Sequence, residues 1–188
     1  MTTHRLYLLL LAACRVCLRR PKDFLFTLIS TPWAPVAIRP YDPRVQPVTR
    51  RLIRQLQTVF PHDQIYFFGS SSLKVAGRGD IDLFVTCPLN RFKEYLPKIK
   101  ALFGPPYHTD SDRVKWRFRR SRYPVELVMT DPGSREFADQ QAIYAPLNNP
   151  AILAHYSQLK SSLQGVSELE YELRRMDFFD TVIASFQP

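Results

Sequence analysis

At 188 residues the chain is long enough for one domain with an appendage and for a buried core. It is 45% hydrophobic and 13% aromatic, which excludes a disordered chain, and its three cysteines, an odd number, exclude a disulfide scaffold. A net charge of +9 points to an anionic partner (nucleotide, nucleic acid or membrane surface), an inference about association and not about fold.

From Met1 to Arg20 there is no acidic residue, and Leu6 to Ala13 is apolar. That run is too short to span a bilayer, so no ordinary transmembrane helix is expected here. Three readings stay open for residues 1–33. They form a short packed helix over Leu6–Leu18 closed by Arg19-Arg20-Pro21, a removable targeting segment, or an upstream extension with little function. Leu11-Ala12-Ala13-Cys14 has the form of a bacterial lipoprotein cleavage box, which stands against the cytoplasmic location otherwise expected. Cys14 and Cys17 make a CxxC with no second pair nearby to complete a zinc site, and Cys87 is expected to pack.

The domain proper is expected over residues 34–188. Val36-Ala37-Ile38 reads as a short strand or extended entry. Asp42 suits an N-cap with Pro43 at the first helical position, and Val45, Val48, Leu52, Leu56 and Val59 recur at helical spacing. Ile65–Phe68 and Ile81–Val85 are compact apolar runs that read as buried strands. Between them Ser71–Ala76 has room for about one helical turn, and Gly77-Arg78-Gly79 turns the chain back. Pro88–Phe103 carries an apolar stripe at helical spacing with a kink expected at Pro97.

Val114, Trp116 and Phe118 alternate with Lys115, Arg117 and Arg119, which predicts a half-buried strand with a basic outer face. A turn near Arg120–Tyr123 leads to a second strand, Pro124–Thr130. The tail from about residue 149 reads as helical: Asn149-Pro150 opens one helix through Leu163. Ser167 with Glu170 forms a capping box for another, with Leu169, Leu173, Met176 and Ile183 as its core stripe. Strands precede helices, so the expected class is α+β, a small mixed sheet flanked by helices with a helical C-terminal tail.

The most informative stretch is Phe68-Gly69-Ser70, then a loop, then Asp80-Ile81-Asp82-Leu83-Phe84-Val85. On a strand, side chains two apart share a face, so Asp80 and Asp82 point one way while Ile81, Leu83 and Val85 enter the core. Two carboxylates roughly 7 Å apart repel by about 2 kcal/mol at an effective dielectric near 20. A cation between them removes that cost, and Mg²⁺, with Mn²⁺ as a substitute, takes one or two carboxylates plus water and phosphate oxygens. Gly69 lets backbone approach a phosphate, Ser70 offers a hydroxyl and an N–H, and Lys74 and Arg78 meet polyphosphate charge. Glu126, flanked by Val125 and Leu127, is a third acid that converges on the same face if its strand pairs beside the Asp strand. His62, His108 and His155 are scattered and show no zinc spacing.

This pattern resembles the signature of the nucleotidyltransferase superfamily, the minimal domain of DNA polymerase beta type. That signature is a strand ending in Gly-Ser, a spacer, an Asp-x-Asp strand and a later strand bearing a third acid. The resemblance covers about Tyr66 to Met129. It implies two-metal transfer of an NMP from an NTP, most simply ATP, to a hydroxyl acceptor with release of pyrophosphate. Asp80, Asp82 and Glu126 would then be catalytic and metal-holding, and Gly69, Ser70, Lys74 and Arg78 nucleotide-binding. Within the superfamily the chain is most similar to the GrpB-like branch, through Arg39-Pro40-Tyr41-Asp42, Tyr156-Ser157-Gln158-Leu159-Lys160 and Tyr171. It departs from that branch in carrying Asp80-Ile81-Asp82 where a single aspartate is usual, and Glu126 where histidine is. The alternative is a nucleotide- or RNA-binding module of the same fold without turnover. The acceptor (small molecule, protein or RNA) is not readable from these residues.

Overall fold

The computed structural model describes residues 3–31, 33–60 and 65–186; His62 lies outside them. Among the described residues eight α-helices and five strands follow in order. They are α1 (Thr3–Arg19), α2 (Pro21–Ser30), α3 (Val45–Gln57), β1 (Ile65–Phe68), the short α4 (Gly69–Ser72), β2 (Ile81–Thr86), α5 (Phe92–Phe103), β3 (His108–Thr109), β4 (Arg113–Arg120), β5 (Tyr123–Thr130), α6 (Arg135–Tyr144), α7 (Pro150–Ser162) and α8 (Glu168–Phe186). They divide into two compact units, Arg39–Ala142 and the paired ends Met1–Ile38 with Ile143–Pro188. Among the described residues no helix is long and apolar enough to cross a membrane.

The Arg39–Ala142 unit holds a five-stranded mixed sheet of order β1-β2-β5-β4-β3. Only β2 and β5 run parallel; the other neighbours are antiparallel. Alternation sets the two faces. Ile81, Leu83, Val85, Val114, Trp116, Val125, Leu127 and Met129 point to a core closed by Leu52 and Leu56 of α3 and Tyr95 and Ile99 of α5. Trp116 is almost wholly buried, and its indole N–H donates to the Gly104 carbonyl at 3.0 Å. The opposite face is covered at one end by α6, where Phe137 meets the rings of Tyr66 and Phe68 and Ser134 meets the Thr130 hydroxyl at 2.7 Å.

The basic outer face of β4 is present, and carboxylates meet it. Lys115 pairs with Glu136 at 2.6 Å, Arg113 with Asp110 and Glu136, and Arg117 with Glu126. The helix expected from Pro43 begins at Val45 instead. Asp42 caps the preceding turn, its carbonyl accepting from Val45 N and its carboxylate from Arg44 N at 3.2 Å. Pro97 lies inside α5, whose helix runs through it.

In the other unit, α1 lies against α8: Val16, Leu169 and Leu173 are buried together, with Leu9, Ala13, Phe24 and Met176 around them. The arginines of the acid-free segment meet acids of α8, Arg5 with Glu170 at 2.9 Å, Arg15 with Asp177 at 3.3 Å and Arg20 with Asp180 at 2.7 Å. Asn149 caps α7 by accepting from Ala151 N. Half of the expected capping box at α8 forms: Ser167 Oγ accepts from Glu170 N at 3.2 Å, while the Glu170 carboxylate turns to Arg5 and Arg174. Val36–Ile38 does not enter the sheet. The segment is tied by backbone bonds from Val36 N to Val166 O and from Gly165 N to Val36 O.

Candidate functional site

Sheet register assembles one row of charged side chains on the face away from the core. Asp82 is the direct neighbour of Glu126 across the parallel β2–β5 pair, and Glu126 is the neighbour of Arg117 across β4–β5. Residues opposite one another on adjacent strands share a face, so Asp82 and Glu126 stand side by side. Asp80 sits just before β2, half-buried; its backbone carbonyl accepts from the Ser71 hydroxyl at 2.7 Å. Among the described residues its carboxylate makes no hydrogen bond or ion pair.

Gly69 follows β1 beside this row, since its neighbour Phe68 is the register partner of Asp82. Its φ is +78°, and a Cβ there would stand 2.0 Å from Asp82 Oδ2. The absence of a side chain is what admits the carboxylate against the backbone. Gly77 has a matching role for Ser70, where a Cβ would fall 1.8 Å from the hydroxyl oxygen. Ser70 is buried, Lys74 is exposed in a turn at φ +57°, and Arg78 is half-buried in the loop before β2.

Glu126 has company that the sequence did not announce. The Tyr107 hydroxyl donates to its Oε1 at 2.6 Å, Arg117 Nη2 donates to the same oxygen at 3.2 Å, and the Arg117 guanidinium lies over the Tyr107 ring. Partial burial and then the bond to Glu126 push the Tyr107 phenol up to about 12. Among the described residues no group of three or more His, Cys, Asp or Glu side chains is gathered closely enough to hold a metal ion. Of the three acids expected to hold Mg²⁺, Asp80 and Asp82 stand two residues apart, just before and at the start of β2. Glu126, as placed, serves Arg117 and Tyr107 instead.

Next to the row lies a cleft of about 580 Å³. Ser70, Ser71 and Gly77 form part of its wall, and Arg39, Arg44, Arg119, Arg122, Tyr41 and Tyr123 much of the rest. Asp42 organises it: its carboxylate accepts from Tyr123 Oη at 2.7 Å, from Arg44 Nε at 3.0 Å and from Arg122. The Tyr123 hydroxyl, then Arg44 and Arg122, hold the Asp42 carboxyl well below the usual carboxylate range. In the sequence Asp42 reads as a helix cap, and the cleft around it is not evident. The one available signal was the crowding of Arg39 and Arg44 around Tyr41-Asp42.

No family model matches this chain, and no curated protein matches it at a significant level. The likeness to nucleotidyltransferases therefore rests on the sequence motifs alone.

Proposed function

We propose that the chain is a metal-dependent nucleotidyltransferase with a nucleotidyltransferase-type fold, moving an NMP from an NTP, most simply ATP, to a hydroxyl acceptor. One observation carries it. Asp82 lies in register beside Glu126 with the Gly69 backbone packed against its carboxylate, two residues from an Asp80 carboxylate that has no cationic partner among the described residues.

In this reading the acceptor oxygen attacks the α-phosphorus, a new O–P bond forms, the bond to the β-bridging oxygen breaks, and pyrophosphate leaves with its electron pair. Asp80 and Asp82 would hold Mg²⁺ or Mn²⁺, which when bound neutralises phosphate charge and stabilises the attacking and leaving oxygens. The bare backbone at Gly69 and the Ser70 hydroxyl would take phosphate oxygens, with Lys74 and Arg78 meeting the remaining charge. Glu126 would receive the acceptor proton once the incoming ligand draws Arg117 away from it. An NTP donor is met in the cytoplasm, which is where the proposal places the chain.

Asp82→Ala is expected to abolish Mg²⁺-dependent pyrophosphate release from ATP across pooled hydroxyl acceptors. A second reading, a nucleotide- or RNA-binding module without turnover, is favoured by Arg117 and Tyr107, which together occupy the third carboxylate. It prevails if the wild-type chain binds ATP with Mg²⁺ or Mn²⁺ yet releases no pyrophosphate with any acceptor pool.

A further inference from the structure

We propose that the arginine-lined cleft beside Asp82 binds the phosphate group of a nucleoside phosphate ester, and so supplies the acceptor pocket of the proposed transfer. The acceptor role rests on the nucleotidyltransferase reading; the phosphate binding does not.

Four guanidiniums, those of Arg39, Arg44, Arg119 and Arg122, line one concavity with a single carboxylate, Asp42, among them. Like charges brought around one cleft repel, and one acid offsets only part of that, so the wall is left favouring an anion.

These cations are also preorganised. Asp42 accepts from Arg44 and Arg122 at once, and Arg119 Nη2 is fixed on the Arg122 carbonyl at 2.7 Å. Each guanidinium has five N–H donors and gives only one or two of them to these bonds, so donors remain for a phosphate. Arg39 is held at its backbone, where its N and O exchange hydrogen bonds with Gly77 O and N at 2.7 and 3.0 Å. A wall whose cations are already positioned loses less freedom when it binds than loose surface arginines would.

Size and lining give the class of ligand. A volume of about 580 Å³ suits a small organic molecule and exceeds what a bare phosphate needs. Tyr41, partly buried against the core, adds an aromatic surface to the lining, on which a nucleobase can stack. Ser70 belongs to this wall, while its neighbour Gly69 touches Asp82. The cleft wall thus reaches to within one residue of the backbone that packs on Asp82, as the acceptor role requires.

Calorimetry on the full chain distinguishes the outcomes, with AMP, adenosine and inorganic phosphate as probes and a 5′-phosphorylated RNA oligonucleotide against its 5′-hydroxyl form. AMP is expected to bind at least about tenfold more tightly than adenosine, to weaken as salt rises and to be displaced by phosphate. The double substitution Arg39→Gln/Arg119→Gln, which leaves the Asp42 pairings intact, is expected to weaken AMP by about tenfold or more at an unchanged urea midpoint. Preference for the phosphorylated oligonucleotide over AMP names an RNA end as the source of the phosphate. Equal binding of the two names a free nucleotide. Asp82→Ala is expected to abolish pyrophosphate release while AMP is still preferred over adenosine, so loss of the reaction alone bears on the transfer reading and not on the cleft. Equal affinity for AMP and adenosine, or an unweakened double variant, overturns the proposal.

Discussion

Gly69 and Gly79 have nearly the same backbone, φ +78° and +77°, but different surroundings, which makes them a matched pair. An alanine at either must adopt a left-handed conformation, at a cost of about 1–2 kcal/mol. At Gly79 that is the whole effect, because the nearest atom to a new Cβ is Arg39 Cδ at 3.9 Å. At Gly69 the Cβ would lie 2.0 Å from Asp82 Oδ2, so the carboxylate must swing away by about 1 Å or more to reach ordinary contact. Moving it off its rotamer adds about 0.5–1.5 kcal/mol. Gly69→Ala should therefore destabilise by about 2–3 kcal/mol and Gly79→Ala by about 1–2. For a chain of 188 residues each kcal/mol is worth roughly 2–4 °C in Tm. Urea midpoints give the stabilities, and pyrophosphate release tests the displaced carboxylate: Gly69→Ala should lose activity that Gly79→Ala retains. Equal destabilisation by the two, with Gly69→Ala still active, would refute the steric argument and the place it gives Asp82.

Other substitutions test the frame around the site. Trp116→Ala removes the largest almost fully buried side chain of the sheet and strands the Gly104 carbonyl, which should cost about 3–5 kcal/mol in urea denaturation. Ser167→Ala removes the acceptor for Glu170 N at the start of α8 and should cost about 1 kcal/mol, read as a shift in urea midpoint at unchanged m. Tyr107 is a phenol whose folded value is raised. Its contribution to stability is complete below the ordinary phenol value near 10 and is lost as pH rises toward about 12. The difference in tyrosinate absorbance between wild type and Tyr107→Phe should appear near pH 12; a difference centred near 10 would show that Glu126 does not hold the proton on the ring.

Much of the sheet was legible because its signals are local. Apolar runs stopped by Gly69 and opened by Asp80 gave β1 and β2. The alternation through Trp116 and Phe118 gave β4, and the turn before Pro124 gave β5. The pairing of Asp82 with Glu126 was legible only as a condition, because nothing local tells one strand which neighbour it takes. Helix α6 escaped notice because it meets the sheet through one buried residue, Phe137, and so carries no apolar stripe. The partners of Glu126 escaped notice for different reasons. Arg117 faces it only through the β4–β5 register, and Tyr107 reaches it from the loop before β3, where sequence carries no directional signal. Asp42 was read by its local capping role, whereas its ties to Tyr123 and Arg122 run across the fold.

The docking of α1 on α8 has a consequence for the order in which the chain is made. On the ribosome α1 emerges well before α8, so while the stretch between them is being made Val16 has no Leu169 or Leu173 to pack on, and Arg5 has no Glu170. In that interval the Leu-rich segment emerges as an apolar, wholly cationic peptide, the kind of surface that holding chaperones and acidic surfaces bind. Anything that captures it then competes with a partner not yet translated, and release becomes favourable only once the acids of α8 appear.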